Sequence, residues 1–285
     1  MFMSSLKSGL RLLLATLLVP AMAAMAAPGQ PADTAPFRIG VAPHSSARVI
    51  LEMYQPLREH LSRELKQQVE IVTAPDFTEF ARRAMAQQYD IAITTGHQAR
   101  LLQTDARYLP LLTYKADFKS VAVVVANGPV KNAPDLAGAT VLGLSPSSLV
   151  TLWGQHWLIR NGVPNTTMRY ISASDSVGQL LLKGEGQVGF MSLANFQNLN
   201  PAMREQMSIF AESLPMIGRV YVLNNRKATQ KEAILAALWR FAETPEARQY
   251  FTHYKLGGYR PFGARELVEM DPYANEVRQV LRQER

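Results

Sequence analysis

The sequence contains no cysteine. That excludes a disulfide framework and a lipid-modified lipoprotein start. No G-x-x-x-x-G-K-[ST] loop and no H-E-x-x-H helix occurs, and the five histidines are scattered without metal-ligand spacing. Metal capture by His44 and His97 is a weaker alternative that would need a cleft with a third ligand. No run of Lys and Arg interleaves with aromatics, which argues against nucleic acid as a partner. No nucleophile–base spacing points to a secreted enzyme. Beyond the N-terminus, no stretch is long and apolar enough to cross a membrane. No short repeat stands out, and nothing calls for a cofactor.

What is present begins with a secretory pattern. Lys7 and Arg11 precede the apolar stretch Leu12–Val19, and Ala21-Met22-Ala23 and Ala24-Met25-Ala26 offer small-residue cleavage sites before Pro28. The expectation is a signal peptide over 1–27, a flexible leader over 28–36, and a periplasmic protein. About 258 of the 285 residues then remain, which suits two lobes better than one core. The formal net charge of +7 falls to about +5 once Lys7 and Arg11 leave with the signal. That excess is compatible with an anionic ligand.

Strands and helices alternate through the chain. Phe37–Ala42 reads as a strand ending at Pro43. A helix follows, with Val49, Ile50, Met53, Leu57, Leu61 and Leu65 along one face. Strands at 69–72 and 90–95 alternate with helices opening at Asp76 and Gly96. Ser120–Ala126 is one long apolar strand. Strands at 140–144, 168–171, 188–191 and 219–223 follow, with helices from Leu149 and from Ser176, and the chain after Lys227 is helical. This β-α-β order implies largely parallel sheets covered by helices. Gly184-Glu185-Gly186-Gln187-Val188-Gly189 satisfies G-x-G-x-x-G, but it leaves a helix and enters a strand, the reverse of the dinucleotide order. It reads as a helix-ending turn. His60 and His156 lie within helices and read as packing or surface residues.

Residues 142–149, Leu-Gly-Leu-Ser-Pro-Ser-Ser-Leu, run from a strand through a serine-rich turn into a helix. Gly143-Leu144-Ser145-Pro146-Ser147 approaches a nucleophile elbow. Ser147 replaces the final glycine, however, and Pro146 has no N–H for an oxyanion hole. Two readings remain for the serines: helix capping, or an anion site built from hydroxyls and helix N–H groups.

The run from Phe37 to Leu102, with its Val-x-Pro strand end, its Pro-Leu and Leu-x-x-x-Leu helix and its Asp-Ile-Ala strand, resembles the first lobe of the phosphate/phosphite/phosphonate-binding proteins of ABC transporters. "DLAGATVLGLSPSSLVTLW" resembles the second lobe, and the resemblance extends from about Phe37 to Asn224. It implies a type II periplasmic binding fold: two α/β lobes with a hinge and an interlobe ligand cleft. Lobe one would combine 37–115 with 225–285, and lobe two would span 116–224. The strands at 120–126 and 219–223 would cross between them. Ligand would sit at the loops His44–Ala47, Thr94–Gln98, Ser145–Leu149, Ser174–Ser176 and Ser192–Asn195. The candidate binding residues are His44, Ser45, Thr95, Gly96, His97, Ser145, Ser147, Ser148, Asp175 and Asn195. The chain departs from the family where no glycine follows Ser147-Ser148, where His44 replaces a tyrosine, and where Gly189 replaces an acidic residue. The resemblance implies a monomer that binds a small anionic solute of phosphonate, phosphite or phosphate type. Its partner would be an inner-membrane ABC permease, or alternatively a membrane sensor.

Overall fold

The computed structural model describes residues 35–263 and 265–283. The expected signal peptide and the leader up to residue 34 lie outside them. The first lobe opens with β1 (Phe37–Val41), α1 (Ala47–Leu65), β2 (Val69–Val72), α2 (Phe77–Met85), β3 (Ile91–Thr95), α3 (Gly96–Asp105) and β4 (Leu109–Tyr114). The second lobe holds β5 (Ser120–Val125), β6 (Thr140–Gly143), α4 (Leu149–Arg160), β7 (Thr167–Tyr170), α5 (Ser174–Leu182), β8 (Val188–Ser192), α6 (Leu193–Gln197), α7 (Pro201–Arg204) and β9 (Met207–Glu212). The chain then returns through β10 (Arg219–Leu223), α8 (Lys231–Glu243), α9 (Pro245–His253), β11 (Tyr259–Arg260) and α10 (Asp271–Gln283).

The first sheet has the order β11-β4-β10-β3-β1-β2 and the second β7-β6-β8-β5-β9. Ile39 of β1 lies level with Ile71 of β2 and Ile91 of β3 in parallel register, so branched side chains stack across three strands. β10 runs antiparallel to both β3 and β4. On one face of this sheet α1 buries Ile50, Met53, Leu57 and Leu61 against Ile234, Leu238 and Phe241. These positions recur at helical spacing, which is why this segment folds as a helix on a sheet and not as a strand. His60 packs in the same layer, its Nε2 3.0 Å from the Ala237 carbonyl. Gly184, at φ +75°, ends the α5 region before β8, so the G-x-G-x-x-G run is the turn that its order implies.

Two expectations change. β5 and β10 were expected to cross between lobes, yet each lies wholly within one sheet. The crossings are the short segments 115–119 and 213–218, joined by a single antiparallel bridge in which Phe118 and Met216 exchange backbone hydrogen bonds of 3.0 and 2.8 Å. The apolar residues of β10 pair with β3 and β4 along its full length, so the strand belongs to the first sheet and the return precedes residue 219. The tail also does not stay on the first lobe. α10 is held to α3 by Arg100–Asp271 and Arg278–Asp105 ion pairs, each 2.7 Å, and it reaches α4 of the second lobe through His156–Glu276 and the stacked pair His156–Tyr273.

Candidate functional site

The carboxyl ends of β1 and β3 in the first lobe meet the carboxyl ends of β6 and β7 in the second. Thr95 and His97 sit at the start of α3, and the serine turn sits at the start of α4. His97 Nε2 lies 3.0 Å from the Ser147 carbonyl, and Gln98 Nε2 approaches the same oxygen at 3.4 Å. A carbonyl only accepts, so His97 carries its proton on Nε2 and its Nδ1 accepts from the Thr95 hydroxyl at 3.0 Å. Burial drives the imidazole pKa down to about 4, against which the Ser147 carbonyl bond works only partly. His97 is therefore a neutral, fully buried bolt between lobes.

Ser147 is buried too, and its hydroxyl lies 2.9 Å from that of Thr78 in α2. Ser148 is the N-cap of α4, accepting from the Thr151 N–H at 3.5 Å. The capping reading thus fits Ser148, while Ser147 is committed to the seam. Replacing Ser148 with Ala should cost about 1 kcal/mol of fold stability in urea unfolding and leave ligand affinity unchanged; a tenfold affinity loss would instead give Ser148 a binding role. Ser145 differs from both. It is partly exposed and lines an interlobe cavity of about 320 Å³, with Pro43, Thr78 and Arg82 on the first-lobe side and Tyr170 and Ser172 on the second. A space of that size holds a small organic acid.

The remaining candidates are spread over both lobes. Gly96 is packed against the return crossing: a Cβ there would stand 2.2 Å from Ile217 Cγ2. Asn195 Nδ2 donates to Ser174 Oγ at 2.8 Å and so ties α6 to the start of α5, where Asp175 is exposed in the first turn. Ser45 is exposed beside Ser46, which caps α1. His44 follows Pro43 at the cavity wall. Its Nε2 is buried without a hydrogen-bond partner, and burial together with the Arg219 charge holds its pKa well below the ordinary value.

Arg219, Thr78 and Gln98 are not among the residues singled out from sequence. Arg219 had one signal: a lone cation opening an otherwise apolar strand, Val220 to Leu223. Thr78 and Gln98 lie in amphipathic helices where nothing marks a polar residue as buried. Another concavity, of about 570 Å³, opens beside α4 and the return crossing. Asp117, Glu212, Glu266 and Glu269 line it against Arg160 and Arg260, and it lies away from the strand-to-helix loops. Among the described residues, no group of three or more His, Asp or Glu is placed to hold a metal ion.

A family model described as the periplasmic substrate-binding protein of a phosphonate ABC transporter matches residues 39–267. Solved structures share the architecture. A Xanthomonas citri protein bound to chloride is 19% identical, with a TM-score of 0.73 over 86% of this chain and 99% of its own. PhnD1 from Prochlorococcus marinus in complex with methylphosphonate is 15% identical, with a TM-score of 0.71 over 85% and 98%. A binding-protein component of a phosphonate ABC transporter from Pseudomonas aeruginosa is 13% identical, with a TM-score of 0.68 over 87% and 94%. No curated protein sequence matches the chain. At these identities the structures establish the fold.

Proposed function

This chain belongs to the periplasmic substrate-binding proteins of phosphonate ABC transporters, and from that premise we propose that it captures a small phosphonate-type anion between its lobes and delivers it to an inner-membrane permease. The observation that carries the reading is the cavity of about 320 Å³ where Pro43 and the start of α2 face Ser145 and Ser172. Open α/β sheets bind ligands at this carboxyl edge, where helix N-termini present unpaired N–H groups. Pro146 offers none, so the donors lining the cavity are the hydroxyls of Ser145, Ser172, Thr78 and Tyr170, the Arg82 guanidinium and the N–H groups opening α2. The working unit is a monomer exported by its N-terminal signal.

Binding is non-covalent, with release governed by opening of the lobes. The crossings 115–119 and 213–218 are the hinge, because they are short and, among the described residues, are joined by the one Phe118–Met216 bridge. A Trp at position 145 would fill the cavity. Calorimetric titration with methylphosphonate should show saturable binding by the wild type and at least about tenfold weaker binding by Ser145→Trp, or about 1.4 kcal/mol. Unchanged affinity in a folded Ser145→Trp variant would place the ligand elsewhere.

A further inference from the structure

Arg219 opens β10 level with Thr95 of β3, at the edge of the first sheet that faces the second lobe. It is only partly exposed, and among the described residues it has no carboxylate within ion-pair distance. Among the described residues, its guanidinium meets only neutral acceptors: Met53 Sδ lies 3.8 Å from Nη1, and the Tyr54 hydroxyl is the other polar group it engages. The hydroxyls around it belong to Tyr54, Tyr114 and Tyr250. Tyr250, Tyr114, Tyr221 and Tyr259 are linked hydroxyl to hydroxyl at 2.5, 2.7 and 2.9 Å. Such a chain of dipoles can orient towards a guanidinium but cannot neutralise it.

His44 is near enough to this cation to feel its charge; its Nε2 is buried and unpartnered, and its ring is 6.3 Å from that of Tyr54, one of the tyrosines around Arg219. Pro43, the preceding residue, lines the interlobe cavity. A desolvated cation and an orphaned imidazole nitrogen are both costly to leave unpaired, and one anionic oxygen set would satisfy both. Of the two carboxylates on the α2 wall, one is already ion-paired. Asp76 accepts from the Glu79 N–H at 2.8 Å, and Glu79 pairs with Arg82 and Arg83 at 2.7 Å each. Glu79 is therefore not free to receive a ligand ammonium, and Asp76 serves α2 as its N-cap.

We infer that His44 and Arg219 form a second anion-recognising pole on the first lobe, so that the ligand is a phosphonate bearing a further acidic group, of the phosphonocarboxylate class, and not an aminoalkylphosphonate. The inference rests on the cleft reading above. One acidic group would sit by Ser145 and Ser172, and the other would take the guanidinium fork, which matches a carboxylate in bidentate fashion.

Calorimetric competition among phosphonoacetate, methylphosphonate and 2-aminoethylphosphonate tests it on the full chain. The wild type should bind phosphonoacetate at least about tenfold more tightly than methylphosphonate, or about 1.4 kcal/mol, and 2-aminoethylphosphonate most weakly. Arg219→Met should abolish the phosphonoacetate advantage and leave methylphosphonate within about threefold, or about 0.7 kcal/mol; Arg219→Lys should keep part of it. Three results overturn the inference: methylphosphonate bound as tightly as phosphonoacetate, 2-aminoethylphosphonate preferred, or an equal loss of both ligands in Arg219→Met. The first and second need only the wild type, so they hold even if a variant misfolds. Each of these leaves the cleft reading standing, whereas absence of binding to every phosphonate ends both.

Discussion

Between pH 6.5 and pH 4 the fold should lose roughly 3 kcal/mol of stability against unfolding through His97 alone. The imidazole is fully buried, its Nε2–H is given to the Ser147 carbonyl, and its pKa lies at about 4. The unfolded chain, with a value near 6.5, binds a proton that the folded form refuses. The contribution is therefore complete above about pH 6.5, declines as pH falls, and is spent near pH 4. A protonated ring could no longer accept from the Thr95 hydroxyl, so the constellation that locks the tautomer fails as a unit. Urea unfolding at a series of pH values should show stability rising with pH across this window. His97→Gln, which retains a donor for the Ser147 carbonyl, should show a shallower slope. The slope that remains belongs to His44, whose pKa burial and the Arg219 charge also depress, and, towards pH 4, to carboxylates such as Glu79 and Asp105 that their arginine partners hold low, all with the same sign. An identical slope in the variant would remove His97 from the account.

Gly96→Ala should disable closure. The new Cβ would meet Ile217 Cγ2 at 2.2 Å and the Ile217 carbonyl oxygen at 3.1 Å. Ile217 lies on the return crossing, and its branched methyl cannot swing away as the end of a long side chain could. The crossing itself must shift, at about 1–3 kcal/mol, the usual range for overpacking. Because the crossing is half of the hinge, that cost falls on the closed arrangement, and methylphosphonate affinity should fall about 5- to 150-fold. Removing the opposing methyl with Ile217→Ala in the same chain should recover part of the loss, since residues in contact do not behave additively. A single Gly96→Ala variant with wild-type affinity and stability would show that the crossing is slack.

The sequence made the first lobe readable where periodicity was strong. Ile39, Ile50, Met53, Leu57 and Ile91 announce a strand, a helix and a strand, because each buries one regular face. β4 and β9 were not recognised. β4 carries Pro110 in its interior, and β9 is an edge strand whose residues are mostly exposed or half-buried, so neither alternates. The long apolar run at 120–126 looked like a bridge between lobes. It is apolar because strands β8 and β9 flank it and helices cover it, which no local pattern distinguishes. The serine turn was rightly placed between strand and helix, but its chemistry was only half legible. The turn is anchored through the Ser147 carbonyl as well as its hydroxyl, and a backbone group leaves no mark on composition. Arg219 escaped notice because its meaning lies in the carboxylate that, among the described residues, does not face it.

The most direct test of ligand capture uses the absence of native cysteine. Thr78 and Ser147 touch across the seam with their hydroxyl oxygens 2.9 Å apart. Cysteines at both positions would form a disulfide only when the lobes are closed. The Thr78→Cys/Ser147→Cys chain, oxidised in the presence of methylphosphonate and then dialysed exhaustively, should retain phosphorus in stoichiometric amount by elemental analysis and release it on reduction. Oxidised protein that retains no phosphorus, although the same chain bound methylphosphonate when reduced, would show that the lobes do not close around a phosphonate and would contradict the account.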